Sequence, residues 1–354
     1  MTSFHLQTAM TTTKKRTATR KSWSRLGSEK LLDWRICDLG LKLKNSPIEP
    51  LTERLYSELA KKHINFRPHF WISDEWFSPD GIPGVAIPFF LFHPRLRKLE
   101  MENMLEVEGG NRRWFMLLLR HESAHALLNA YKLHQRKDWR KIFGNPNSHY
   151  PDTYLPKPYS KSFVINLPGW YAQAHPHEDW AETFAVWLNP RSDWKKRYAK
   201  WPALKKLRFV DDLMVELQEK KPLLRNKQTE YPVEKIRMTL REYYEQKRDR
   251  YGIDHPEFFD IDLRKLFLTK DEGGHEKASR YIRRVKKQIM DVVERWTGEY
   301  KYRINEVLDD MIKRCNELDL RVGDNQEQLI PELTACITML VMNKLHSGGF
   351  HISL

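Results

Sequence analysis

Residues 112–132 read RRWFMLLLRHESAHALLNAYK and contain an HExxH pattern that begins at His121. Apolar residues surround the pattern and Asn111 precedes it as a candidate N-cap, so we predict a long buried helix. On that helix His121 and His125 lie one turn apart on the same face, where both imidazoles can reach one metal ion. Glu122 lies beside them and can act as a general base on water.

The pattern alone also fits two core histidines with backbone partners, so a third ligand decides between this alternative and a metal site. A metzincin would continue with glycine at position 128 and histidine at position 131, where this chain has Leu128 and Tyr131. His134 lies nine residues after His125, which is roughly 13 Å along a continuous helix and too far for a shared ion.

A second predicted helix, at about 176–188, carries the best candidates for the third ligand. Glu178 and Glu182 are four residues apart and share a face of this helix. One carboxylate can therefore bind the metal while the other accepts the N–H of a ligand histidine and sets its tautomer. Ala181 and Ala185 are small enough to let the two helices approach closely.

The residues of these two predicted helices resemble the pattern of a known protein family. HExxH at 121–125, followed by an ExxAE pattern at 178–182, resembles the gluzincin zinc metallopeptidases. It is similar to the bacterial family of putative zinc-binding metallopeptidases and to anthrax lethal factor-like peptidase domains. The similarity covers residues 66–190. It implies a site in which Zn²⁺ is bound by His121, His125 and Glu178.

The same resemblance implies roles for three further residues. Glu122 would activate water, and Glu182 would support the site from outside the coordination sphere. Tyr171, seven residues before Glu178, stands where lethal factor-like domains keep a tyrosine that stabilises the transition state.

The other polar residues around the second helix have competing interpretations. His175 and His177 each fit either a residue of the helix's first turn or an oxyanion donor. Asp179 points about 100° away from Glu178 around the helix, and we expect it in solvent. Tyr150, Tyr154 and Tyr159 lie in a segment rich in proline and glycine, and we interpret them as loop packing.

The sequence predicts a predominantly helical α+β fold. Residues 85–92 read as a strand that Pro88 makes an edge or irregular one. The gluzincin resemblance gives this strand the role of holding an extended peptide. We expect a small mixed sheet with this edge strand packed on the HExxH helix, followed by a helical C-terminal region.

The same features divide the chain into three parts. We predict a disordered basic tail at 1–28, a zincin-like metallopeptidase domain at 29–210 and a helical C-terminal domain at 211–354. In the last part apolar residues recur at three- and four-residue steps, which is typical of amphipathic helices.

Composition excludes several classes of protein. Of 354 residues, 40% are hydrophobic, which is enough for a core and excludes wholesale disorder. No apolar run is long enough to cross a bilayer, so we expect no membrane partner. Three cysteines without a CxxC pair argue against a disulfide scaffold and a cysteine-rich zinc finger. We expect a cytoplasmic protein, although the composition of the N-terminus also fits an organelle transit peptide.

The net charge of +14 lies almost wholly in two segments: residues 1–28 carry +6 and residues 191–208 carry +7. The second segment interleaves aromatic residues with Lys195, Lys196 and Arg197. This pattern fits contact with nucleic acid or an acidic partner. It also fits a solvated helix face whose aromatic residues pack inward.

We therefore predict a zinc-dependent metallopeptidase that acts on protein or peptide substrates. A purely structural zinc site would have no need of Glu122, which favours a catalytic site. The alternative is a non-enzymatic nucleic-acid- or partner-binding protein that retains a zincin fold. The sequence contains no recognisable DNA-reading motif, and it does not specify the substrate or the oligomeric state.

Overall fold

A computed structural model describes residues 22–104, 106–150, 154, 156–157, 160–251, 259–323 and 326–346 of the protein. Most of the predicted basic tail, residues 1–21, lies outside the described residues. Trp23 and Leu26, which we predicted as part of that tail, instead pack in the apolar interior. Ser22–Arg25 forms a 3₁₀ helix, and Trp23 is buried and donates its indole N–H to the carbonyl oxygen of Leu39 (3.1 Å).

The described chain is predominantly helical with little sheet, so the predicted α+β class is confirmed. Its elements are α1 (Ser28–Leu32), α2 (Glu49–Lys61), β1 (His69–Ser73), β2 (Gly84–Pro88), α3 (Pro94–Met104), α4 (Arg112–Tyr131), α5 (Lys137–Phe143), α6 (Pro176–Leu188), α7 (Trp194–Arg197), α8 (Leu204–Leu217), α9 (Leu240–Tyr251), α10 (Asp260–Leu266), β3 (Glu276–Lys277), α11 (Ala278–Thr297), α12 (Lys301–Glu317), β4 (Arg321–Val322) and α13 (Gln326–His346).

Strand β2 packs on α4, as predicted. It pairs in parallel with β1, in a register that places Trp71 beside Ala86. An antiparallel bridge adds Phe77 to Ala86, whose N–H donates to the Phe77 carbonyl oxygen (2.8 Å). We expected β2 to have an unpaired edge that could hold a substrate peptide. Ala86 on β2 is instead already paired with Phe77. Pro88 ends the strand because proline has no N–H to continue the ladder.

Helices α4 and α6 form the framework of the predicted metal site. The Asn111 side chain accepts the N–H of Trp114 (2.9 Å), so the predicted N-cap of α4 is confirmed. The two helices are in direct contact, and the indole N–H of Trp180 donates to the carbonyl oxygen of Ala124 (2.9 Å). Ala181 and Ala185 are fully buried at this level of the helix, where small side chains permit the close approach.

Among the described residues the apolar interior consists of two large clusters and a small one formed by Trp71, Ile82 and Ala86. The first runs from Trp23 to Tyr244 and includes Tyr302, while the second lies between Phe259 and Val341. Our predicted boundary at residue 210 stays a prediction, but residues well beyond it pack with the first cluster. Within the described residues, no helix has the length and apolar character required to cross a membrane.

The segment after α8 crosses back over β1, which explains why the first cluster extends so far along the chain. The indole N–H of Trp71 donates to the carbonyl oxygen of Glu230 (2.7 Å), and the hydroxyl of Ser73 donates to that of Tyr231 (2.7 Å). These side chains satisfy backbone carbonyls in a segment that has no helix or strand of its own.

Candidate metal centre

Two helices bring three potential metal ligands together. His121 and His125 come from α4 and Glu178 comes from α6, and each offers one ligand atom within 4.8 Å of the others. Side-chain exposure is 3% for His121, 4% for Glu178 and 15% for His125. The candidate third ligand thus lies beside the two histidines, although it is more than fifty residues away along the chain.

The contacts among these three side chains are short. The Nε2 atom of His121 lies 2.9 Å from Glu178 Oε2 and 3.2 Å from His125 Nε2. His125 Nε2 lies 3.4 Å from Glu178 Oε1. A neutral imidazole has only one N–H, so the other ring nitrogen carries a lone pair.

The tautomer of His121 follows from Glu182. His121 Nδ1 lies 2.9 Å from Glu182 Oε1, and because a carboxylate accepts, this nitrogen carries the proton. Burial opposes the charged form of His121, but hydrogen bonds to Glu178 and Glu182 raise its pKa well above the usual value. Without a metal, a second proton on Nε2 therefore satisfies the 2.9 Å contact with Glu178 Oε2, and a bound metal ion would take the place of that proton. Two imidazole nitrogens and one carboxylate oxygen form a donor set typical of catalytic zinc, so the residues fit this metal.

Glu182 is completely buried and is held by four donors. Besides His121, it accepts the side-chain amide of Asn166 (2.8 Å), the backbone N–H of Asn166 (3.3 Å) and the backbone N–H of Leu167 (2.8 Å). A buried carboxylate with this many donors is a fixed acceptor that sets the orientation of the imidazole. Sequence analysis missed Asn166 and Leu167, because they lie in a loop whose sequence carries no motif.

Glu122 is almost buried, with 9% exposure, and lies on the same helix as the two histidines. Burial raises the pKa of its carboxyl group, although the charges of His121 and His125 act in the opposite direction. A carboxylate with a raised pKa is a stronger base, which suits a group that accepts a proton from water.

Tyr171 lies in a 3₁₀ helix, Pro168–Gln173, with its ring 5.5 Å from the ring of His121. Burial, assisted by the negative charge of Glu178, raises the pKa of its phenol well above the usual value. The phenol therefore keeps its proton and remains a donor.

Tyr150 is a site residue that sequence analysis missed. We interpreted it as loop packing, but its hydroxyl donates a hydrogen bond to Glu178 Oε1. The contact joins residues 28 positions apart. Only the density of tyrosines in this segment pointed to it, and that signal does not distinguish Tyr150 from Tyr154 or Tyr159, the last of which lies outside the described residues.

The two candidate oxyanion histidines have different surroundings. His175 is the N-cap of α6: its Nδ1 accepts the N–H of His177 (3.2 Å) and its Nε2 donates to the Ser148 carbonyl oxygen (3.2 Å). Both ring nitrogens are therefore engaged, which fits the turn-residue interpretation. The ring of His177 lies 5.9 Å from that of Trp139, and burial lowers its pKa to about 4.

Asp179 is not in solvent, so that expectation was wrong. Its exposure is 3%, and its carboxylate accepts a hydrogen bond from the ammonium of Lys206 (2.6 Å). The face of α6 opposite the metal site is covered by α8, which supplies this lysine. The helical angle between Glu178 and Asp179 correctly placed Asp179 on a different face of α6. The angle does not show which element packs on that face.

The basic segment contains α7, with Lys195, Lys196 and Arg197 exposed. Its aromatic neighbours Trp194 and Tyr198 are buried. This arrangement fits a solvated basic face over inward-packed aromatic residues. A role of the three cations in partner binding stays a prediction.

A comparison with known families agrees with this geometry. A family model described as a putative zinc-binding metallo-peptidase matches residues 100–212, which include all three candidate ligands together with Glu122 and Glu182. No curated protein and no solved structure matches the chain. The matched segment thus supports a zinc metallopeptidase family for this protein.

Proposed function

We propose that the protein is a zinc-dependent metallopeptidase of the gluzincin type that hydrolyses peptide bonds. One observation carries the proposal: His121, His125 and Glu178 converge on one point, with Glu122 on the next position of the same helix turn. A structural zinc site would call for a fourth protein ligand and no base, whereas a catalytic one leaves a position for water.

Zinc, when bound, would supply Lewis acidity that polarises the peptide carbonyl and makes a water molecule acidic near neutral pH. Glu122 would take a proton from the attacking water and return it to the leaving amine, so that the proton balance closes. Tyr171 would donate its hydroxyl proton in a hydrogen bond to the developing oxyanion. Glu182 would hold His121 in the tautomer that leaves Nε2 free.

The non-enzymatic alternative has weaker support. Binding single-stranded nucleic acid by stacking requires exposed aromatic faces, and Trp194 and Tyr198 are buried beside the exposed cations. We propose a cytoplasmic location, in keeping with three free cysteines. We retain Lys195, Lys196 and Arg197 as a proposed contact for an acidic substrate or partner.

Substitution of Glu122 by glutamine tests the proposal. The variant should retain about one zinc per chain, measured by mass spectrometry of the metal, because Glu122 is not a ligand. Its cleavage of a proteome-derived peptide mixture should fall by about 10²- to 10⁴-fold. As a matched control, Glu234→Gln changes an exposed glutamate and should retain full activity. A wild-type protein that stays free of metal in excess zinc, or a fully active Glu122→Gln variant, would overturn the proposal.

A further inference from the structure

We propose that Tyr150 is a positioning residue that makes Glu178 a one-oxygen metal ligand, and that His175 anchors the loop that carries it. The inference rests on the proposed function, since it concerns the geometry of the proposed zinc site. It assigns a purpose to a short hydrogen bond that a peptidase mechanism does not itself require.

The two oxygens of Glu178 have different surroundings. Oε2 is buried and faces His121 Nε2 at 2.9 Å. Oε1 accepts the hydroxyl of Tyr150 and lies farther from an imidazole nitrogen, 3.4 Å from His125 Nε2. A hydrogen bond withdraws electron density from the oxygen that accepts it, so Oε2 is the better ligand. The Tyr150 hydroxyl thus distinguishes two otherwise equivalent oxygens.

The loop before Tyr150 is tied to the start of α6. Residues Asn145–Ser148 form a turn closed by a bond from Ser148 N–H to the Asn145 carbonyl oxygen (3.2 Å). His175 Nε2 donates to the Ser148 carbonyl oxygen, and the His175 and Tyr150 rings are 4.4 Å apart. One histidine thus caps the helix that carries Glu178 and holds the loop that carries its hydrogen-bond donor.

This arrangement has a consequence for coordination. A carboxylate that binds through both oxygens would occupy an additional position on the ion. With Oε1 engaged by Tyr150, the protein supplies three ligand atoms and leaves the fourth tetrahedral position for water, as catalytic zinc sites require. Tyr150 would therefore keep the site four-coordinate.

Substitution of Tyr150 by phenylalanine in the full-length protein, loaded with Co²⁺ or Zn²⁺ alone, tests this inference. Four-coordinate cobalt absorbs visible light more strongly than five-coordinate cobalt, so we expect weaker absorption from the variant. We also expect its zinc dissociation constant, measured by chelator competition, to rise about tenfold. Both changes are required, and a variant with the wild-type value of either one overturns the role of Tyr150.

Two further variants act as controls. Tyr154→Phe removes another hydroxyl near Tyr171, whose ring is 6.2 Å away, and should keep the wild-type spectrum and affinity. Loss of cobalt absorption in this variant as large as that in Tyr150→Phe would overturn the assignment to Tyr150. His175→Asn keeps a helix cap but is too short to hold Ser148, so we expect an intermediate spectrum; wild-type values would overturn the anchoring role.

The outcomes separate this inference from the proposed function. A wild-type protein that binds neither Co²⁺ nor Zn²⁺ would overturn both. A wild-type protein that binds them with the same spectrum and affinity as Tyr150→Phe would overturn the Tyr150 role alone. Near-ultraviolet circular dichroism of each variant confirms that the fold is retained.

Discussion

The α4–α6 pair and the C-terminal helices α11–α13 are both helix packings, but they bury different groups. Between α4 and α6 lie His121, Glu178 and Glu182, all at most 3% exposed. The interior of α11–α13 is built from aliphatic side chains such as Ile289 and Leu308. Burying ionisable groups costs free energy unless they are paired. Apolar residues at the same positions would therefore stabilise the helix packing at least as well. The difference agrees with the proposed metal site.

A buried ion pair in the C-terminal region extends the comparison. The side chains of Arg303, on α12, and Glu299, in the turn before α12, are both 1% exposed and lie 3.4 Å apart. Next to Arg303, Tyr302 packs in the first apolar cluster. This buried pair thus lies where the two large clusters meet.

The largest expected effect comes from breaking the α4–α6 contact. Trp180→Ala removes a fully buried ring and its hydrogen bond to α4, and should lower the free energy of unfolding by about 3–5 kcal/mol. Zinc binding should be lost with it, because the ligands come from both helices. Urea denaturation and metal analysis measure the two effects. Trp296→Ala, at a position 67% exposed, is the matched control and should change stability by no more than about 0.5 kcal/mol.

A core deletion in the C-terminal helices should have a comparable effect on stability and none on the metal. Leu308→Ala opens a cavity at a fully buried position of α12, and we expect a loss of about 2–5 kcal/mol. The zinc dissociation constant should stay at the wild-type value. Leu223→Ala, at a position 67% exposed, serves as the control. A large loss of zinc affinity in Leu308→Ala would show that the two regions are not separate in function.

Metal removal should affect the two regions unequally. At a zinc concentration about 100-fold above the dissociation constant, binding should stabilise the folded state by about 2.7 kcal/mol. Hydrogen exchange should slow in α6 and remain unchanged in α12, and a chelator should reverse the effect. Equal protection of both helices would contradict the comparison.

Loss of a single supporting carboxylate should have a smaller effect on stability and on zinc binding. Glu182→Gln replaces the acceptor of the His121 N–H with a group that cannot accept from all of its present donors. Leaving buried donors unsatisfied should cost about 1–3 kcal/mol. Zinc affinity should fall about 10- to 100-fold. Unchanged affinity, measured by chelator competition, would show that Glu182 does not orient His121.

The smallest effect is expected for a carboxylate outside both cores. Arg136 and Lys220 hydrogen-bond to Glu216 and lower its pKa from 4.5 to about 2. Because the folded state holds this carboxylate charged, its contribution is present above about pH 4.5 and disappears as the pH falls toward 2. Glu216 is 39% exposed, so Glu216→Gln should cost no more than about 1 kcal/mol at neutral pH. Urea denaturation at pH 7 and at pH 3 measures the difference, and a larger cost at the lower pH would contradict the sign.

Sequence reasoning was most successful where one helix carries the information. The i, i+4 spacing of His121 and His125 and the ExxAE pattern of the second helix led to residues that the structure places together. Sequence reasoning failed where a second element of the fold determines the surroundings of a residue. Asp179 was expected in solvent, but Lys206 on α8 covers it, and the helical angle of Asp179 contains no information about α8.

The tyrosines show the same limit in a loop. Tyr150 and Tyr154 occur in one irregular segment, and no periodicity distinguishes them. The bond from Tyr150 to Glu178 depends on a turn that His175 holds from the start of α6. Likewise, the basic, acid-free composition of residues 1–28 predicted a disordered tail, although Trp23 is buried. A single tryptophan hardly changes the average hydrophobicity of a segment of this length.

The sequence by itself determined the chemistry that is available: two histidines and a glutamate on one helix, and a pair of spaced glutamates on another, because helical periodicity converts spacing into a shared face. It also determined the helical class of the fold through its apolar periodicity. The tertiary structure alone decided which oxygen of Glu178 accepts the Tyr150 hydroxyl, which histidine caps a helix and which tyrosine reaches the site. These outcomes depend on hydrogen bonds between distant segments, and such bonds form only when packing brings buried donors and acceptors within reach.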